Sequence, residues 1–267
     1  MSKFQALQQR AKRTVVGRFP ETSSWLRSRW GTRANPETGF FTQAVYGHSV
    51  FLKRPEDYLD VHELEWLCRD VYFRLYEPCS TDVVVDIGAG YGHEAFYLLT
   101  RSPGVRYFGV EVQPSVYECL CNSFRTLASQ FRAIGTAVSD THDRLQISSA
   151  ADYVRASTAE DGYVEVPATS WPSLLERYDI GRIDLLKVNI EGGERALLPA
   201  LGDMKDVARV IISAHDFRAE RGEGEHFRTR EFVHEYLEGR GFRVQRLAQG
   251  GWLGDWLFAE RSDARAA

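Results

Sequence analysis

Two acids and a run of alternate glycines carry the first sign of chemistry. In Val83-Val84-Val85-Asp86-Ile87-Gly88-Ala89-Gly90-Tyr91-Gly92-His93-Glu94, a β-branched run ends in an acid and spaced glycines, and helix-forming residues follow. That pattern reads as a buried strand feeding a tight nucleotide-binding turn. A dinucleotide fingerprint sets its third glycine three residues after the second. Here Gly88, Gly90 and Gly92 alternate and Asp86 precedes them by two, which suits S-adenosylmethionine better than a nicotinamide dinucleotide. Gly88 and Gly90, with Ala89 between them, let the backbone come close to the adenosyl and methionyl parts. Asp86 offers an acceptor to the methionine end, directly or through water. Glu111, at the end of the next apolar run, is placed to accept both ribose hydroxyls. Glu94 and His93 open the following helix, where they either contact the ligand or satisfy exposed amides; the helix dipole favours Glu94 there in both cases.

A second group lies further on. From Ile183 to Glu191 the strand alternation puts Leu185, Lys187, Asn189 and Glu191 on one face. A lysine in so apolar a strand needs a partner, and Asp86, Glu191 or the substrate are the choices. In an open α/β sheet the ligand crevice lies beyond the carboxyl ends of the strands. That rule gathers Gly88, Glu111, Ser139, Asn189, Glu191 and His215, with Val112, Ala137 and Val138 adjoining as further cofactor contacts. His215 has a suitable pKa for taking a proton from an attacking hydroxyl and is the first candidate base. Glu191 is the second, and Lys187 is the third candidate for the chemistry. The rival reading of His215 is a hydrogen-bonded ring that only orients its loop. Because a sulfonium leaves readily, alignment alone supplies much of the acceleration and a strong base is not required. Glu191, His215 and Asp216 have the chemistry to hold a hard divalent cation, but no spacing demands one, so no metal is expected.

The elements that must position these residues follow from hydrophobic periodicity. Val61, Leu64, Leu67, Val71 and Leu75 predict a helix over Asp60 to Tyr76. Val83 to Ile87, Val105 to Val110 and Arg132 to Ser139 read as strands, separated by helices over His93 to Arg101 and Pro114 to about Ser129; this βαβαβ order implies a parallel sheet. Leu145 to Ile147 and Tyr163 to Val166 are short β-type stretches around a polar loop, an excursion at the sheet edge or part of a substrate lid. Trp171 to Tyr178, Glu194 to Leu201 and Thr229 to Gly239 are predicted helices. Ile183 to Ile190 and Val207 to Ala214 are strands, and Phe242 to Leu247 with Trp256 to Glu260 form a closing antiparallel pair through Gly250-Gly251. Before about residue 60, aromatic residues alternate with Gly and Pro, which suits a cap of short helices with a hairpin from Gly39 to Leu52. The division expected is a cap or arm over 1–59 and a catalytic domain over 60–267.

With 267 residues, 43% of them hydrophobic, the chain can bury one large core. A net charge of −4 gives no global attraction to nucleic acid. From Lys3 to Arg33, however, eight bases face the single acid Glu21. This arm reads as a solvated helix, a transit peptide or a patch for anionic lipid, so peripheral lipid contact stays among the partners. No stretch reaches the ~18 apolar residues of a membrane span. Cys68, Cys79, Cys119 and Cys121 form no Cys-x-x-Cys pair and are expected to be reduced thiols in a cytoplasmic protein.

Taken together, VVVDIGAGYGHEAFYL, FGVEVQPSVYECLCNSF, RAIGTAVSD and IDLLKVNIEGGERALLPAL resemble the successive motifs of the FkbM family of S-adenosylmethionine-dependent methyltransferases. HDFRAERGEGEHFRTREFVHEYLEGRGF resembles the family's closing helix and strand. Many members carry Asp where this chain has Asn189, which argues against an acid or metal role there. The resemblance implies an α/β fold of class I methyltransferase type, with a mostly parallel seven-stranded sheet and helices on both faces. It also implies methyl transfer to a hydroxyl of a sugar, glycolipid or polyketide-like small molecule. Two other classes compete. A nucleic-acid methyltransferase would use the basic arm, but Asn189-Ile190-Glu191-Gly192 is not the Asn/Asp-Pro-Pro-aromatic loop used on exocyclic amines. A non-catalytic scaffold would have no need for both the acid-glycine turn and Glu111.

Overall fold

A computed structural model describes residues 28, 30–140, 143–148, 163–247 and 252–262. The basic arm before residue 28, the polar loop after Ser148 and the Gly250-Gly251 junction lie outside the described residues.

The chain enters through an antiparallel sheet of β1 (Thr32–Ala34), β2 (Phe41–Val45) and β3 (His48–Leu52). The expected hairpin forms, with its turn at Tyr46-Gly47, and β1 extends it. Gln43 fastens the hairpin to the next segment by exchanging two hydrogen bonds with the Leu59 backbone. Helix α1 (Val61–Leu67) is capped by Asp60, whose carboxylate accepts the His62 N–H. The periodicity predicts helix as far as Tyr76, but the helix widens into a turn over Cys68–Tyr72 and stops, with the Phe73 N–H reaching back to the Cys68 carbonyl.

The central sheet then builds as β4 (Val83–Ile87), α2 (His93–Arg101), β5 (Arg106–Val110), α3 (Pro114–Phe124) and β6 (Phe131–Ile134). The third predicted strand does not continue to Ser139. It breaks at Gly135, where a Cβ would stand 2.5 Å from the Tyr117 ring, and resumes as β7 (Ala137–Val138) in a side sheet. There β7 pairs with β9 (Tyr163–Thr169), which pairs in turn with β8 (Arg144–Ser148). The chain returns through α4 (Trp171–Arg177), β10 (Leu185–Val188), α5 (Glu194–Ala200), β11 (Arg209–Ser213), α6 (Asp216–Glu220), α7 (Arg230–Gly239), β12 (Phe242–Arg246) and β13 (Trp256–Arg261).

The sheet order is β12-β13-β11-β10-β4-β5-β6, parallel except for β13, which runs antiparallel to both neighbours. Burial on both faces explains why these strands are continuously apolar. One face packs Val83, Val85, Leu186, Val188, Val210 and Ile212 under α4, α5 and α7. The other packs Val84, Tyr107, Leu185 and Ile211 under α1, α2, α3 and the cap hairpin. The topology is the class I methyltransferase arrangement that the motifs imply.

Candidate functional site

Backbone hydrogen bonds press the turn after β4 against its neighbours. Gly88 and Ala89 donate to the Val110 carbonyl, and Asn189 donates to the Ile87 carbonyl. Gly88 lies at φ +83°, and a Cβ there would stand 2.0 Å from the Asn189 carbonyl oxygen, so only glycine fits. Glu111 closes the turn from β5: one oxygen accepts the Gly90 N–H at 2.9 Å and the other the Gln113 N–H at 2.8 Å. Burial pushes the Glu111 carboxyl above its ordinary value, against the pull of these backbone donors.

Beside this turn opens a cavity of about 170 Å³. Its floor is Ile87, Gly88, Val110 and Val112 at the strand ends; Thr136, Ala137 and Val138 form one wall and Ile190, Ala196 and Leu197 another. Leu145 and Ile147 close it from β8, so the side sheet faces this cavity. An apolar slot with a buried carboxylate near its floor fits an adenosine, and the bare backbone at Gly88 gives a ligand close approach to the turn. The expected cofactor residues Gly88, Ala89, Gly90, Glu111, Val112, Ala137 and Val138 are brought together. Ser139 is buried just beyond, its N–H on the Thr169 carbonyl, and Asn189 meets Gly88 through its backbone.

Asp86 departs from expectation. It is fully buried, with one oxygen accepting the Tyr107 hydroxyl at 2.5 Å and both within 3.2 Å of Lys187 Nζ. Its carboxylate is thus occupied inside the sheet and not presented to a methionine. The register sets Lys187 directly beside Asp86 across β10 and β4. Glu94 lies 3.3 Å from the same ammonium, which also sits 5.1 Å from the centre of the Tyr72 ring. Burial would lower the Lys187 pKa, but Asp86 and Glu94 outweigh it and raise the value above the ordinary one. Lys187 is therefore held by its ion pairs inside the sheet. The alternation that put it with Glu191 ends at Val188, and Glu191 leaves the strand in a left-handed conformation, φ 56°.

His93 is buried beside Tyr91, and its Nε2 has no hydrogen-bond partner among the described residues. Burial lowers its pKa to about 4, with Asp57 opposing. Tyr91 is clasped from the cap: its hydroxyl donates to Asp57 at 2.5 Å, and Asp57 also binds Arg54.

At the ends of β10 and β11 a charged chain forms. Arg218 Nη1 donates to one Glu191 oxygen at 2.9 Å, and His215 Nε2 faces the other at 3.3 Å. His215 Nδ1 faces Glu194 at 2.9 Å. Burial alone would lower the His215 pKa, yet the hydrogen bonds to Glu191 and Glu194 raise it to about 9. With a carboxylate facing each ring nitrogen, His215 is an ion-pair partner here, in contrast to the free base that the sequence suggests. Of the three residues that could share a cation, Asp216 is turned away from Glu191 and His215. Asp216 accepts the Thr229 and Arg230 N–H groups, and no three His, Cys, Asp or Glu among the described residues are arranged to hold a metal ion.

Glu194, Arg218, Thr229 and Tyr107 were not anticipated. Glu194 follows Gly192-Gly193 at a helix start, and the sequence offers no sign that it faces a residue twenty-one positions on.

A family model described as the methyltransferase FkbM domain matches residues 86–244. No curated protein matches the chain. Among solved structures, M. capricolum TrmK in complex with S-adenosyl-homocysteine is similar at 11% identity and TM-score 0.45, over 76% of this chain and 69% of that one. Aeropyrum pernix fibrillarin with bound S-adenosyl-L-methionine is similar at 15% identity and TM-score 0.45, over 84% and 90%. A precorrin-6y C5,15-methyltransferase from Geobacter metallireducens is similar at 13% identity and TM-score 0.43, over 76% and 91%.

Proposed function

The chain belongs to the FkbM methyltransferase family and uses S-adenosylmethionine, and from that premise we propose that it methylates a hydroxyl oxygen of a small acceptor: a sugar, glycolipid or natural product. The observation that carries the reading is the Glu191 carboxylate, held by Arg218 and His215 at the carboxyl end of β10, next in the chain to Ile190, which lines the apolar cavity. When bound, S-adenosylmethionine supplies a methyl group on a sulfonium that leaves with the bonding electrons. The adenosyl end belongs in the cavity over Val112, Ala137 and Val138, with Glu111 at the ribose. Glu191 accepts a hydrogen bond from the acceptor hydroxyl, aims the oxygen lone pair, and takes the proton as the oxygen loses it.

In this assignment residues 1–59 form the cap and 60–267 the catalytic unit. The Asp57–Tyr91 hydrogen bond supports a cap that also shapes the acceptor side, because it ties the cap to the glycine turn.

The test is incubation of the full chain with methyl-labelled cofactor and a panel of sugars, lipid-linked glycans and hydroxylated aromatics. Label recovered as an O-methyl ether, and lost in Glu191→Ala with S-adenosylhomocysteine affinity kept, is the expected result. Label on a nitrogen, or undiminished transfer in Glu191→Ala, would overturn it.

A further inference from the structure

One fully buried acid is left without a task by this reading. Glu194 sits in the first turn of α5 with no solvent exposure. One of its oxygens accepts the Gly192 N–H at 3.1 Å and faces His215 Nδ1 at 2.9 Å; the other accepts the Thr229 hydroxyl at 3.0 Å. Across the ring, His215 Nε2 faces Glu191 at 3.3 Å. A neutral imidazole has one N–H and one lone pair, so it would turn a lone pair towards a carboxylate on one side. Only the doubly protonated ring donates in both directions.

We propose that Glu194 is a positioning residue for the methyl transfer: it holds His215 as a doubly donating imidazolium, and His215 together with Arg218 fixes the Glu191 carboxylate towards the acceptor hydroxyl. The proposal rests on the reading of Glu191 given above. Glu191 needs such anchors because it has left the strand, standing at φ 56° next to Gly192 at φ 98°. Arg218 is itself fixed, since its guanidinium also binds Glu223 and lies 3.8 Å from the centre of the Phe227 ring.

The charged groups around His215 come from four places. Glu191 approaches from the loop after β10 and Glu194 from α5. On its own helix, Asp216 is turned to the Thr229 and Arg230 backbone and Arg218 to Glu191 and Glu223. Asp255, before β13, is held by the Phe217 N–H and Arg230. The two carboxylates that face the ring are therefore its electrostatic partners, in keeping with its pKa of about 9 despite burial.

The experiment is an NMR titration of the cofactor-free full chain, following the His215 ring and the Glu191 side-chain carboxyl carbon in wild type and Glu194→Gln. Glutamine keeps the volume and an acceptor for Gly192 but removes the charge. In wild type both signals should move together near pH 9; in Glu194→Gln both midpoints should fall by about one pH unit or more. An unchanged His215 midpoint in the variant, or a Glu191 signal that does not follow His215, would overturn the proposal. Should Glu194→Gln not fold, wild type decides: a His215 midpoint at or below its ordinary value sinks the idea. None of these readings uses an acceptor, so failure to label any hydroxyl is told apart from failure here.

Discussion

Glu111 and Gly90 are joined by a hydrogen bond of 2.9 Å that runs from the backbone of the glycine turn to a carboxylate on the neighbouring strand end. Its neighbours Val110, Val112 and Gln113 line the apolar cavity, so one side chain shapes the turn and, in the function proposed above, meets the ribose. Glu111→Ala removes both roles. Affinity for S-adenosylhomocysteine should fall by about tenfold to a hundredfold, since a hydrogen bond to a charged group is worth about 1.5–3 kcal/mol. Calorimetric titration checks this, and unchanged affinity would take Glu111 out of the site.

Lys187→Met should destabilise the protein by about 3–5 kcal/mol, because it leaves the Asp86 carboxylate buried without its cation. Adding Asp86→Asn to that variant should restore part of the loss, as the pair is then neutral and Tyr107 keeps an acceptor. Urea unfolding of the two single variants and the double one measures this. Additive losses would mean that the pair is not coupled.

A methyl group at position 88 meets the Asn189 carbonyl and also a positive φ. Gly88→Ala should therefore cost about 1–3 kcal/mol and open the turn. A lower melting temperature together with a loss of S-adenosylhomocysteine binding is expected. A variant that melts lower but binds normally would separate the turn's packing from ligand recognition.

Stability should decline as pH rises from about 6.5 to 9. The unfolded chain's histidine titrates near 6.5, whereas folded His215 titrates at about 9. The folded state thus holds an extra proton, whose stabilisation is complete below the unfolded value and is lost as pH rises through the folded one. The loss is up to about 3 kcal/mol. Chemical denaturation at a series of pH values, with His215→Gln as comparison, would show it; identical pH slopes in the two proteins would refute it.

The sequence by itself determined a good deal. Apolar runs with a period of two or of three to four placed nearly every strand and helix to within a few residues, because local periodicity reports which face is buried. That Gly88, Val112, Ala137 and Val138 lie on one side of the sheet was legible from the rule for open sheets, and they line one cavity. The misplaced boundaries had tertiary causes: the Tyr117 ring ends β6 at Gly135, and a wide turn at Cys68 cuts α1 short. What only the tertiary structure decided was the partnership of buried charges. Asp86 read as a ligand residue, yet the register of β4 against β10 gives it to Lys187. His215 read as a base, yet two carboxylates from the loop and helix after β10 face both of its ring nitrogens. A side chain's protonation and partners depend on what burial brings within a few ångströms, across 101 residues for Lys187 and Asp86, and no local pattern encodes that distance.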